Sequence, residues 1–356
     1  MGFYNLQDDQ TGRMTFSQLY TEWIQYKKQF VKAANKKRSI SPTTIRRYER
    51  DFTNYIKGYP IENMEIQLIK TPQLEIMIKD IIQDKDLSEK CAGNLIVYIR
   101  QAFAYARRSG YINEDPAEIL DRALLLSMCR FILPKNDEDK VLTINELAEL
   151  REAVLRHEIR HPSYMPDYAI ELAILTGMRV GELAALHWGD VDDEYIHIDY
   201  SEHRLDYSDK PSELVIDEPK SGKHRKLQMT DDIKRIFWKI KHIGFRSEEG
   251  FIFCDSNGKR YTGHDISCAV TRRAEEAGIR RTSIHGIRRT VSSLLNTVLP
   301  QKVVADMLGH TERVNEQHYN FSTAENAEKM RALEEVSSKV INFKSISQKK
   351  TKAGNA

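Results

Sequence analysis

From residue 15 to residue 109 apolar side chains recur at helical intervals, and no strand-like alternation interrupts them. Phe16, Leu19, Tyr20, Trp23 and Tyr26 fall at i, i+3, i+4, i+7 and i+10, one stripe of a 3.6-residue helix. Ser41-Pro42 supplies an N-cap and a first-turn proline for a second helix, with Ile45, Tyr48 and Phe52 inward and Arg46, Arg47 and Arg50 outward. Thr71-Pro72 is expected to open a third in the same way, carrying Leu74, Met77, Ile78 and Ile81. A fourth covers 88–109 and stops at Gly110. A chain patterned like this begins as a four-helix unit. Its aromatic residues lie on the apolar stripes and read as core rather than as platforms for stacking bases.

A length of 356 residues exceeds what one ordinary core accommodates, so a second domain is expected. Residues 111–140 pass through Asn-Glu-Asp-Pro and a Leu124-Leu125-Leu126 patch to a charged, proline-containing end. That patch either extends the helical domain or touches a neighbouring subunit. Past Val141, Thr143 and Glu146 have capping-box spacing. An apolar helix over 167–176 is ended by Gly177, which places Arg179 at the start of the next helix. Short strands are expected at 195–200, 214–217 and 226–229, and helices at 231–242, 263–277, 285–298, 300–308 and 323–340. The fold class is mainly α with one small antiparallel β-sheet, an α+β arrangement. The expected divisions are a flexible arm at 1–13, a helical domain at 14–118, a linker at 119–140 and a second domain at 141–322. A C-terminal helix at 323–340 and a disordered tail at 341–356 follow.

Charge is informative through its distribution. The net charge is only +2, yet residues 1–110 carry 18 Lys and Arg against 12 Asp and Glu, clustered at Lys36-Lys37-Arg38 and Arg46-Arg47. Such clusters suit a phosphate backbone. Cys91, Cys129, Cys254 and Cys268 form no CxxC pair and no metal spacing, so reduced and mainly buried thiols are expected. The first ten residues have neither the basic nor the apolar region of a secretory signal, and no apolar run of membrane-spanning length follows. The expected location is the cytoplasm, with no membrane partner.

The residues best suited to chemistry gather late. His285 and Arg288 stand at i, i+3 on one helical face, His310 follows in a Gly-His pair, and Tyr319 comes nine residues later. Two imidazoles, a guanidinium and a phenol make sense around a phosphate. Arginine presents a planar fork to its oxygens, histidine moves protons near neutral pH, and tyrosine can serve as a covalent nucleophile. The sequence carries no P-loop, no carboxylate cluster for two-metal chemistry and no zinc spacing, so neither ATP nor a metal cofactor is expected.

His285-Gly286-Ile287-Arg288, Leu308-Gly309-His310 and Tyr319 together resemble the signature of the tyrosine recombinases, the integrases of phages and transposons. Upstream, Leu175-Thr176-Gly177-Met178-Arg179-Val180-Gly181-Glu182-Leu183 resembles that family's first arginine box. The resemblance implies a helical core-binding domain followed by a catalytic domain. It implies Arg179 and Arg288 as a phosphate clamp, with Glu182 a structural residue that orients Arg179. His285 would transfer a proton with the nucleophile, His310 would hydrogen-bond the scissile phosphate, and Tyr319 would attack it. Lys220, in the turn 218–225, aligns with the family's general-acid lysine, with Lys223 and Lys226 as rivals. Arg225 is expected to meet DNA phosphate or to brace the hairpin, while Lys36, Lys37, Arg38, Arg46 and Arg47 are expected to grip the duplex. The implied partners are double-stranded DNA, three further copies of the chain in a tetramer on DNA, and an accessory bending or directionality factor. Free of DNA, a monomer is expected. In the family the C-terminal segment often packs on a neighbouring protomer, and the helix at 323–340 is expected either to do so or to pack back on its own domain. Type IB topoisomerase chemistry and a non-catalytic DNA-binding regulator are the alternatives.

Overall fold

The computed structural model describes residues 13–31, 40–133, 139–219 and 224–309. The chain divides into two compact units, one from Met1–Pro134 with Arg204–Val215, the other from Lys135–His203 with Ile216–Ala356.

The first unit is built on four amphipathic helices, α1 (Phe16–Lys28), α2 (Pro42–Tyr55), α3 (Thr71–Asp84) and α4 (Glu89–Arg108). Their starts follow from capping: Thr15 and Gln18 form a reciprocal box on α1, and the hydroxyls of Ser41 and Ser88 accept the backbone N–H groups of Thr44 and Cys91. α3 departs from expectation by one residue. Lys70 is its cap position, and the Thr71 hydroxyl instead donates to the Pro116 carbonyl at 2.9 Å, tying α3 to the loop after α4. Phe103, Phe16, Tyr20 and Trp23 are buried and in successive ring contact, with Trp23 4.8 Å from Tyr48 by ring centroids. The aromatic stripe is core. A fifth helix, α5 (Arg122–Ser127), inserts Leu125 into this same core and leaves Leu124 exposed.

The second unit wraps α7 (Met165–Thr176), every residue of which is buried except Leu175. α6 (Ile144–Arg160) starts at the expected Thr143/Glu146 box. α9 (Asp231–Ile243), α10 (Gly263–Glu276) and α11 (Ile284–Asn296) pack around α7 with their apolar faces. α7 carries two carboxylates into the interior, and both are paired: Glu171 with Arg151 at 3.0 Å, Asp167 with His157 at 2.5 Å. At its C-terminus Gly177 adopts φ 66°, a left-handed cap. A Cβ there would meet Leu308 Cδ2 at 3.1 Å and Val291 Cγ1 at 3.3 Å, so a side chain would be strained by the backbone and would also make those neighbours shift. Three residues on, α8 (Val180–Ala184) begins, and α12 (Gln301–Leu308) closes the described chain.

Among the described residues the β-structure is two small sheets, where a single one was expected. β1 (Tyr195–Ile198) pairs antiparallel with β4 (Arg225–Gln228), register Ile198 to Arg225, and β2 (Ser201–Leu205) pairs with β3 (Glu213–Asp217). β2 escaped the sequence reading because Ser-Glu-His-Arg-Leu has no apolar alternation to mark it. The thiols also differ from expectation: Cys254 is buried, but Cys91 in α4, Cys129 just past α5 and Cys268 in α10 are only partly covered. Among the described residues, no helix is long and apolar enough to cross a membrane.

Candidate active site

Arg179 is the N-cap of α8 and stands clear of the α7 core because Gly177 turns the chain. Its position is fixed by Glu182, which accepts the Arg179 backbone N–H at 2.7 Å and its Nη1 at 2.8 Å. Glu182 is 1% exposed, whereas about a third of the Arg179 side chain is accessible (34%). The arginine is thus anchored from below while its side chain stays partly open to solvent. Ser283 caps α11, so His285 and Arg288 fall in its first two turns. His285 is exposed and Arg288 is wholly buried, its Nη1 donating to the Gly177 carbonyl at 2.7 Å and its Nη2 to the Leu308 carbonyl. Thr290, one turn on, donates to the Gly286 carbonyl and accepts the Leu142 N–H at 2.8 Å, which ties α11 to the chain entering α6.

These pieces meet. Arg179, His285 and Arg288 line one cleft of about 430 Å³, together with Val180, Glu202, His203 and Pro219. The charge balance of its floor is positive. Burial alone would push the Glu182 carboxyl up, but hydrogen bonds from Arg225 and the charges of Arg225, Arg179 and Arg288 outweigh it and hold the group at about 2. With Glu202 and its partner Arg260 counted as well, two carboxylates stand against four guanidinium groups, which leaves about two positive charges, a setting suited to a phosphodiester whose negative charge grows during reaction.

Arg225, expected either to meet DNA phosphate or to brace the hairpin, turns inward to α8 and α12. Its side chain is only 5% exposed; Nη1 and Nη2 reach both oxygens of Glu182 at 2.8 and 2.7 Å, and Nε reaches the Met307 carbonyl at 2.9 Å. Its hydrogen bonds run to α8 and α12 within the second unit, and it does not line the cleft. The signal was present in the sequence as alternation: Arg225 and Leu227 share the buried face of β4, Lys226 and Gln228 the exposed one. Lys226, a rival for the general-acid position, lies on that exposed face 5.3 Å over the Tyr195 ring.

His203 was missed by sequence reasoning because β2 was. It lines the cleft and contacts the Glu218 carbonyl through Nε2 at 3.0 Å. Glu202, beside it, accepts the Gly263 N–H at 2.9 Å and pairs with Arg260, fixing β2 to the start of α10. Of the candidate duplex contacts, Arg46 and Arg47 are exposed on α2, and Arg46 stands 3.3 Å from Asp206, which belongs to the same unit. Lys36, Lys37, Arg38, Lys220, Lys223, His310, Tyr319 and the helix expected at 323–340 lie outside the described residues.

Residues 140–326 match the model of the phage integrase family. The chain is 23% identical over 306 residues to a XerC-like tyrosine recombinase of Caldanaerobacter subterraneus, covering 77% of this chain and 72% of that one. It is 24% identical over 321 residues to the integrase of Staphylococcus phage L54a, covering 84% and 86%. In fold it is similar to the Tn1549 transposon integrase in complex with a circular intermediate DNA, with a TM-score of 0.66, 20% identity, and coverage of 90% of this chain and 99% of that one. A lambda integrase tetramer bound to a Holliday junction aligns with a TM-score of 0.58 and 18% identity, over 85% and 76% of the two chains.

Proposed function

The chain belongs to the phage integrase family, and on that premise we propose that it cuts and rejoins DNA at specific sites through a 3′-phosphotyrosyl intermediate, as the integrase of a phage or mobile element. The observation that carries the residue roles is the shared cleft of Arg179, His285 and Arg288 over a positively charged floor.

Tyr319 Oη attacks the scissile phosphorus and the bond to the 5′ oxygen breaks. His285 takes up the phenolic proton, and Lys220 supplies a proton to the departing 5′ oxygen. Arg179 and Arg288 neutralise the charge that develops on the non-bridging oxygens, and His310 adds a hydrogen bond. The phosphotyrosine conserves the energy of the broken bond. A free 5′-hydroxyl from the partner strand then attacks it, the same groups act in reverse, and no ATP is consumed. Neither topoisomerase-type relaxation nor a non-catalytic regulator is favoured by the relatives, which carry the names of recombinases and integrases.

The chain acts on double-stranded DNA as a tetramer of identical copies, with Lys36, Lys37, Arg38, Arg46 and Arg47 gripping backbone phosphates and an accessory bending factor as a candidate partner. The helix at 323–340 reaches a neighbouring protomer. Incubating wild type and Tyr319→Phe with a nicked suicide substrate in EDTA tests the chemistry: a covalent adduct from wild type alone is expected. Intact binding with no adduct would place the chain among regulators of the same fold.

A further inference from the structure

Three consecutive backbone carbonyls at the C-terminus of α12 each accept a hydrogen bond from a different arginine. Arg225 Nε donates to Met307 O at 2.9 Å, Arg288 Nη2 to Leu308 O, and Arg179 Nη2 to Gly309 O at 3.0 Å. The final carbonyls of a helix have no intrahelical donors, and cations are favoured at that end, so the site of attachment has a physical cause. The three arginines come from separate elements: the first position of β4, the second turn of α11 and the N-cap of α8. Gly309 itself is left-handed, φ 69°, and a Cβ there would lie 3.0 Å from Arg225 Nη1 and 3.1 Å from its Cδ. The turn is moulded onto Arg225, and the next residue is His310.

Of the three, Arg179 and Arg288 line the cleft and Arg225 does not. Arg225 Nη1 shares Glu182 Oε1 with Arg179 Nη1, so the carboxylate stands as a fixed post between the two guanidinium groups. Without Arg225, Glu182 would be held by Arg179 alone and could turn, carrying the cleft arginine with it. The Met307 carbonyl would lose its side-chain donor at the same time.

We propose that Arg225 is a positioning residue for strand cleavage: it joins Glu182 to the end of α12 and thereby sets both the aim of Arg179 and the point from which the chain enters His310, without touching DNA. The proposal rests on the recombinase reading above. Displacing a clamp group by about 1 Å costs on the order of 10²-fold in rate.

The test uses the full chain with Arg225→Ala and Arg225→Lys in single-turnover cleavage of a saturating suicide substrate, with DNA affinity followed across salt. Temperatures stay well below each variant's Tm, and Leu74→Ala, a cavity in the first core, controls for lost stability. Cleavage by Arg225→Ala should fall about 10²-fold, with affinity and the slope of log K against log salt as in wild type. Arg225→Lys should recover only a minor part, since an ammonium cannot hold both oxygens and a carbonyl in a planar fork. Leu74→Ala should cleave at the wild-type rate. A salt slope reduced by about one would mark Arg225 as a phosphate contact and overturn the proposal. So would equal cleavage by wild type and Arg225→Ala, leaving the recombinase reading intact. Absence of any adduct from wild type would overturn both.

Discussion

Arg225 and Glu182 form a bidentate ion pair, Nη1 to Oε1 at 2.8 Å and Nη2 to Oε2 at 2.7 Å, in a place where neither side chain meets solvent appreciably. A buried pair survives only if its hydrogen-bonding capacity is met. Here Glu182 accepts from Arg225 twice, from Arg179 Nη1 and from the Arg179 backbone, which fills about all the sites a carboxylate offers.

That arrangement makes the second unit sensitive to acid. The folded Glu182 carboxyl titrates at about 2, below an unfolded value of about 4.3. A depressed carboxyl contributes stability that is fully present above the unfolded value and is lost as pH falls toward the folded one. The contribution is on the order of 3 kcal/mol. Glu182→Gln should be less stable than wild type at pH 7, and the gap should close between about pH 4.3 and pH 2. Denaturant unfolding of both proteins across that range measures it; a gap independent of pH would refute the account.

Thr290→Val removes the acceptor for the buried Leu142 N–H while nearly preserving shape. The orphaned donor should cost about 1–3 kcal/mol. Because the bond ties α11 to the start of α6, hydrogen exchange at Leu142 should accelerate more than at the interior of α7.

Gly177→Ala combines a positive φ with contacts at 3.1 and 3.3 Å to Leu308 and Val291. The backbone term alone is about 1–2 kcal/mol. Thermal melting should show at least that loss, and cleavage should weaken as well, since Arg288 donates to the Gly177 carbonyl.

Arg179→Ala should slow adduct formation by about 10²- to 10³-fold, the usual consequence of removing one donor to a developing charge. Single-turnover rates at saturating DNA report it.

Arg46→Ala should weaken binding uniformly across sequences and lower the salt slope by about one. Its 3.3 Å pairing with Asp206 adds a signed corollary: Asp206→Ala frees the guanidinium and should tighten binding at low salt.

Much of the fold was legible because periodicity and capping are local. The helices α1, α2 and α4 could be drawn from Phe16, Ser41 and Ser88, and the Thr143/Glu146 box marked α6. β2 was illegible because its pairing with β3 is carried by backbone, with polar side chains along it. Within the site, His285 and Arg288 were legible as a helical pair. The interior role of Arg225 was not, because an arginine inside a fold is recognised only through its partners, and Glu182 and Met307 lie 43 and 82 residues away.

α7 has no solvent-facing side and passes directly, through one left-handed residue, into the backbone that bears Arg179. The clamp therefore has no loose joint of its own, and its geometry is inherited from the most inaccessible helix of the unit. Heating such a molecule should not produce a folded but silent enzyme. Cleavage competence and the burial of Tyr168 and Ile170 should vanish together, in a single transition, when α7 itself gives way.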